Sequence, residues 1–156
     1  SALVFAGDDR PEKPFAVIRG TRSALYPDSN NAIGWNIGSY GLQLMLTPAV
    51  PELINRHLAG DVDVLLAAQG LHRDDVHEWL AHPGGPRILE SFSEALDLAP
   101  GDLATSWEVL ADMGNLSSSA VLHVLERHVK HPAGHVGVLF ALGPGVSVEM
   151  VLLEWR

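Results

Sequence analysis

Two apolar runs near the end of the chain, residues 135–142 and 146–155, are separated only by Gly143-Pro144-Gly145. Read as strands, they can pair only antiparallel, because a parallel connection needs a crossover of about a dozen residues or more. Upstream of them, strand-like and helix-like segments alternate. That alternation predicts a layered α/β domain, a mixed sheet packed with helices.

The segments can be placed in order. Ser1-Ala2-Leu3-Val4-Phe5-Ala6-Gly7 reads as a buried strand already under way, as expected of a piece of a longer protein. Residues 15–20 read as a strand behind a breaker bounded by Pro11 and Pro14. Tyr26-Pro27-Asp28-Ser29-Asn30 is a turn cluster, and residues 33–46 form a hairpin turning near Gly38-Ser39-Tyr40-Gly41. Val50, Leu53, Ile54 and Leu58 recur at helical spacing, and Gly60 can end that helix. Asp61 can cap a second helix reaching Ala68, closed by Gly70. A short strand over 77–81 runs into His82-Pro83-Gly84-Gly85-Pro86, with Pro86 suited to the first turn of a helix whose stripe is Ile88, Leu89, Phe92, Ala95 and Leu96. Residues 107–113 read as another helix. Ser117-Ser118-Ser119 can cap a longer one, with Val121, Leu122, Leu125 and Val129 inward.

With 156 residues, 47% of them hydrophobic, there is material for one compact domain with a core. The net charge of -9 excludes the clustered cations that nucleic acid or an anionic membrane surface would require. The absence of cysteine excludes disulfides and thiolate chemistry within this chain. No apolar run approaches the roughly 18–20 residues of a membrane span, and no basic segment followed by an apolar stretch opens the chain. A cytoplasmic protein is expected.

Three loops carry residues with chemical potential. His82 ends a strand and is followed by two glycines and two prolines, which let a ligand approach the backbone and fix the loop. A single His is, taken alone, more often structural than catalytic. Asn115, in Gly114-Asn115-Leu116-Ser117-Ser118, precedes a helix start, where free backbone N–H groups favour negative charge; an ordinary cap is the competing explanation. Ser117 lacks the Gly-x-Ser-x-Gly elbow of a nucleophile, and no nearby motif offers the carboxylate that a hydrolase built on Ser117 and His82 would need. Of the eight histidines, His131 and His135 are spaced i, i+4, but Pro132 and Gly134 between them argue against a shared helical face. His123 and His128 are five apart, which suits one helical face poorly. No metal site is expected.

Taken together and in order, His82-Pro83-Gly84-Gly85-Pro86, Gly114-Asn115-Leu116-Ser117-Ser118, and Leu142-Gly143-Pro144-Gly145 followed by Val148-Glu149 resemble the chalcone and stilbene synthase family, the type III polyketide synthases. Tyr26-Pro27-Asp28-Ser29 and Val50-Pro51 fall where that family has similar residues, and the resemblance covers essentially the whole chain. Related ketoacyl synthases typically carry His-Gln-Ala-Asn at the histidine loop, so His-Pro-Gly-Gly-Pro favours the polyketide branch. The resemblance implies a thiolase-like fold of which residues 1–156 form the carboxy-terminal half, working as a homodimer. It implies decarboxylative Claisen condensation of malonyl-CoA onto an acyl starter, taken from acyl-CoA and held on a cysteine supplied by the amino-terminal half. No metal or redox cofactor is implied, since coenzyme A thioesters are the substrates.

The resemblance also implies roles. His82 and Asn115 would be catalytic, stabilising a thiolate and donating to the thioester oxygen. Ser117 would line the cavity, and Gly143, Pro144 and Gly145 would shape it. Leu44 falls where plant members have a gatekeeping Phe, and Trp35 where chalcone synthase has a cavity-lining Gly. With Gly34 before it, Trp35 resembles bacterial enzymes that make alkylpyrones or alkylresorcinols from fatty acyl starters. Arg87 falls near the coenzyme A entrance. The missing cysteine leaves one alternative, a noncatalytic truncated subunit that associates with another thiolase-like chain.

Overall fold

A helix-covered mixed sheet organises the chain, as its strand–helix alternation predicts. The coordinates are a computed structural model describing residues 1–7 and 13–156; Pro11 of the expected breaker lies outside the described residues. In chain order the elements are β1 (Ala16–Leu25), β2 (Ile33–Gly38), β3 (Gly41–Leu46), α1 (Ala49–Ala67), β4 (Glu78–Ala81), α2 (Pro86–Leu96), α3 (Ala104–Met113), α4 (Ala120–Glu126), β5 (Val136–Gly143) and β6 (Ser147–Trp155). The sheet order is β1-β6-β5-β4. β4 and β5 are parallel, joined through α2, α3 and α4, whereas β5–β6 and β6–β1 are antiparallel. The Gly-Pro-Gly link makes the tight turn its length requires.

Strand periodicity divides the core into two layers. Trp79 and Ala81 of β4, Val138 and Phe140 of β5, and Val148, Met150 and Leu152 of β6 pack with the stripes of α1 and α2. The alternate residues Leu80, Leu153 and Trp155 face the other way, onto Val109 of α3 and Val124 and Leu125 of α4. The sheet is therefore covered on both faces, which is why β5 and β6 read as nearly unbroken apolar runs.

Four expectations need correction. Residues 50–66 form one helix and not two: Val50, Leu53, Ile54, Leu58, Val62, Leu65 and Leu66 are one continuous buried stripe across Gly60. Packing along that stripe outweighs the roughly 1 kcal/mol a helical glycine costs. Asp61 does not cap a helix; it pairs with Arg22 of β1. Residues 1–7 form no strand and are exposed. Ser117–Ser119 form a 3₁₀ turn with no side-chain cap, α4 behind it is only seven residues long, and Val129 is exposed while Val124 takes the inward place.

The hairpin stands apart from the sheet. Ile33, Trp35 and Ile37 lie opposite Leu46, Leu44 and Leu42, so one hairpin face is wholly apolar. Apart from half-buried Ile33, these residues are exposed, and nothing among the described residues covers them. No described helix is long and apolar enough to cross a membrane.

Candidate active site

His82 follows the last residue of β4 directly. Its backbone N–H donates to the Phe140 carbonyl of β5 (2.9 Å), extending the ladder by one bond and fixing the main chain at the strand end. On the other side, Ser106 of α3, fully buried, donates its hydroxyl to the Ala81 carbonyl at 2.8 Å. The His82 side chain is 8% exposed, and its Nδ1 is buried with no hydrogen-bond partner among the described residues. Burial disfavours the imidazolium, so the ring's pKa lies below the ordinary histidine value and the neutral form is favoured.

The loop after His82 turns sharply. The Gly84 N–H donates to the His82 carbonyl at 2.8 Å, and Gly85 has φ +148° and ψ 167°, a conformation essentially reserved for glycine. Pro86 then opens α2, where its missing N–H costs nothing. The loop thus holds the ring at the carboxyl end of β4 and leaves one side chain of substance there.

Asn115 reaches this loop from the far side of α3. Its Nδ2 donates to the Gly84 carbonyl at 3.0 Å, and its Oδ1 accepts from the Ser117 N–H at 2.9 Å. The side chain is therefore both a local turn former and a tie to the histidine loop. Gly114, at φ +71°, and Ser117, at φ +58°, take left-handed conformations on either side of it. The structure brings His82, Asn115 and Ser117 into one connected group.

The Gly143-Pro144-Gly145 turn lies at the carboxyl end of β5, the same sheet edge as His82, since β4 and β5 are parallel. It is clamped by the 26–30 turn: the Tyr26 N–H donates to Val146 O (3.2 Å), and the Ser29 hydroxyl donates to Gly145 O. Strand β2 packs against this turn, which links Trp35 and Leu44, directly opposed across the hairpin, to the same edge. Trp35 is half exposed. Arg87 is apart from the group; its side chain is 87% exposed and pairs with Glu90 one helical turn on.

Two surface hollows, of 370 and 620 Å³, lie elsewhere, one lined by Pro27, Thr47, Arg56 and His57, the other by His72, Arg73 and Asp97. Neither includes His82 or Asn115. Sequence reasoning missed Ser106, which carries no local signal beyond being a helix serine. It also missed a convergence of Glu78, His131 and His135, whose donor atoms lie within 4.8 Å of one another. His131 and His135 share no helix, as expected, but a reverse turn closed by the His135 N–H and Pro132 O (3.2 Å) folds them together.

Residues 18–155 match the family described as chalcone and stilbene synthases, C-terminal domain. A 1,3,6,8-tetrahydroxynaphthalene synthase of Streptomyces peucetius subsp. caesius is 41% identical over 99% of this chain and 42% of its own length. A putative chalcone synthase of Bacillus subtilis (strain 168) is 30% identical over 89% of this chain and 39% of its own. Among crystal structures, PKS-I from the brown algae Ectocarpus siliculosus superposes with a TM-score of 0.85 at 30% identity, over 97% of this chain and 42% of that one. The 1,3,6,8-tetrahydroxynaphthalene synthase of Streptomyces coelicolor A3(2), a bacterial type III polyketide synthase, gives 0.83 at 28% identity, over 90% and 41%. The chain spans about two fifths of the length of these relatives.

Proposed function

The chain belongs to the chalcone and stilbene synthase family, in its C-terminal domain, and from that premise we propose that it forms the histidine- and asparagine-bearing half of a type III polyketide synthase. Residues 1–156 make up the carboxy-terminal half of a thiolase-like subunit, and an amino-terminal half supplies the nucleophilic cysteine that is absent here. The reaction is decarboxylative condensation of malonyl-CoA onto a cysteine-bound acyl group. The working unit is a cytoplasmic homodimer.

The observation that supports this most is the tie between Asn115 and the His82 loop. As carbon dioxide leaves the malonyl group, negative charge grows on the thioester oxygen, and donors already aimed there lower the barrier. A neutral imidazole offers one ring N–H. The Asn115 amide has two N–H bonds, of which Gly84 engages one. The second is available to an incoming oxygen. The pair thus forms an oxyanion hole, and the buried ring also stands ready to stabilise a cysteine thiolate. Within this chain burial lowers the His82 pKa, whereas a thiolate beside the ring would act in the opposite direction. The thioester delocalises the carbanion itself, so the chemistry calls for no metal or redox cofactor.

Ser117, Gly143, Pro144 and Gly145 shape the substrate cavity, with Trp35 and Leu44 of the hairpin facing the growing chain and Arg87 near the coenzyme A phosphates. A hydrolase built on Ser117 is disfavoured because its neighbour in the group is the Asn115 amide, which cannot serve as a base for the hydroxyl. The 41% identical relative's name supports a tetrahydroxynaphthalene product. The Gly34-Trp35 pair supports a fatty acyl starter instead.

Incubation of the complete protein with malonyl-CoA alone, and then with a long-chain acyl-CoA added, separates these. A tetrahydroxylated naphthalene from malonyl-CoA alone is the expected result. Alkylpyrones formed only in the second incubation would reassign the starter. No carbon dioxide release in either would sink the synthase reading and favour a noncatalytic subunit.

A further inference from the structure

The opposite end of β4 gathers four histidines around one carboxylate. Glu78 opens the strand. Its Oε1 lies 2.9 Å from His131 Nδ1 and 3.9 Å from His135 Nδ1, and its Oε2 lies 3.5 Å from His128 Nε2. His77 stacks on His135 with ring centroids 4.3 Å apart, and the His77 Nδ1 accepts from the Val136 N–H at 3.2 Å. Three parts of the chain converge here: the start of β4, the turn after α4 and the residue before β5.

The proton arrangement leaves a gap. His128 Nδ1 is 2.8 Å from the Val124 carbonyl, which can only accept, so Nδ1 carries the hydrogen. The ring's other nitrogen, Nε2, faces the Glu78 carboxylate. His135 Nδ1 is buried without a hydrogen-bond partner, and at 3.9 Å the nearest carboxylate oxygen is too far to serve. The ligand atoms of Glu78, His131 and His135 lie within 4.8 Å of one another around a small space in which His135 Nδ1 has no partner. A cation in that space would supply it.

We propose that Glu78, His131 and His135 bind a divalent transition-metal ion of the Zn²⁺ type. Imidazole with one carboxylate suits Zn²⁺, Ni²⁺ or Cu²⁺, whereas Mg²⁺ and Ca²⁺ prefer sets built of oxygen. Around a tetrahedral Zn²⁺ with bonds of about 2.0–2.1 Å, neighbouring donors stand about 3.4 Å apart. The separations of 2.9 and 3.9 Å from Glu78 Oε1 to His131 Nδ1 and His135 Nδ1 straddle that spacing. His128, with Nε2 3.5 Å from the other Glu78 oxygen, is the kind of outer partner that orients a ligand. Three protein ligands from separate parts of the chain would tie the start of β4, the turn after α4 and the residue before β5 together.

The test uses the untagged full-length protein, stripped with EDTA and dialysed, then titrated with Zn²⁺ alone. One saturable equivalent per chain is expected, with a melting temperature that rises with Zn²⁺ concentration. His131→Ala, His135→Ala and Glu78→Gln are each expected to weaken binding by at least about 10–100-fold, the loss that even an outer-shell partner typically brings. His72→Ala, at an exposed histidine outside the cluster, should leave it unchanged. No equivalent bound, or undiminished affinity in the cluster variants, would overturn the proposal. Because those variants could misfold, Co²⁺ loaded into the unmodified protein gives an independent reading. An intense tetrahedral visible spectrum supports the site, and a weak octahedral one refutes it.

Discussion

β4 is only four residues long, yet its two ends are built in opposite ways. The main chain is pinned to β5 at both: His77 N–H donates to Val136 O at one end and His82 N–H to Phe140 O at the other. The side chains differ. At the amino end the polar atoms of Glu78 and its histidines converge on one another, the unpartnered His135 Nδ1 among them. At the carboxyl end the His82 ring has a buried nitrogen with no partner, in a loop of glycine and proline. Orphaned buried polar atoms are costly in a finished interior. One left at a strand end beside glycines is what a group awaiting a substrate or a second half of the molecule looks like. A short ladder can thus hold two unrelated polar sites rigid, one at each end.

The largest effect should come from breaking the carboxyl end. His82→Ala is expected to lower kcat/KM for malonyl-CoA consumption by about 10²–10³, as loss of one oxyanion donor does. The melting temperature should change little, because the ring contributes no hydrogen bond to the fold. Glu78→Gln, at the other end, should leave the rate within about a factor of ten, the size of one pairwise contact in the handling of free energies. If both variants lose activity equally, the division of β4 into a chemical and a structural end is wrong.

Asn115→Ala comes next, with an expected loss of about 10² in kcat. It removes a donor and also loosens the Gly84 and Ser117 contacts. Asn115→Asp keeps only the Ser117 contact: the carboxylate still accepts from the Ser117 N–H, but it cannot donate to the Gly84 carbonyl and it repels a developing oxyanion. A rate for the aspartate variant equal to that of the parent would show that Asn115 only shapes the loop.

The structural end is sharpened by Gly137→Ala. Gly137 pairs with Glu78 across the ladder, and a Cβ there would lie 2.6 Å from two ring atoms of Trp155 and 3.1 Å from Leu80 Cδ1. Trp155 cannot retreat easily, because it is buried and its Nε1–H donates to His128 O at 2.6 Å. A loss of about 1–3 kcal/mol in urea unfolding is expected, typical of an overfilled core. An unchanged midpoint would mean that the tryptophan side of the sheet is loosely packed.

How much of this could be read from residues alone follows from which signals are local. The hairpin was legible because Gly38-Ser39-Tyr40-Gly41 interrupts two apolar runs, and the β5–β6 pair because its link is too short for anything else. Gly60 was misleading: a breaker in sequence is a weak local term, and the buried stripe from Val50 to Leu66 overrides it. Apolar content predicts a strand over 1–7, but a strand also needs a partner, and pairing is decided by residues distant in sequence. The site divides the same way. Asn115 meets Gly84 across 31 residues and Glu78 meets His131 across the whole α2–α4 crossover. Residue types and spacing gave no sign of either meeting. The first was reached through the resemblance of three loops to a known family, and the second through coordinates.

Ser106 offers the smallest and most discriminating break. Its hydroxyl is fully buried and spends its hydrogen on the carbonyl of Ala81, the residue just before His82. Ser106→Ala leaves that carbonyl short of a donor, at a cost of about 1 kcal/mol in unfolding experiments. The effect on catalysis depends on whether the main chain at Ala81 moves. The His82 N–H is independently tied to Phe140 O, so the displacement should be well under the roughly 1 Å that costs about 10² in rate. A fall in kcat of less than tenfold, with KM unchanged, is therefore expected beside the loss of stability. A stability loss with no change in kcat would make Ser106 a packing residue alone. A fall approaching that of His82→Ala would mean that α3, and not the β4–β5 ladder, sets the position of the ring.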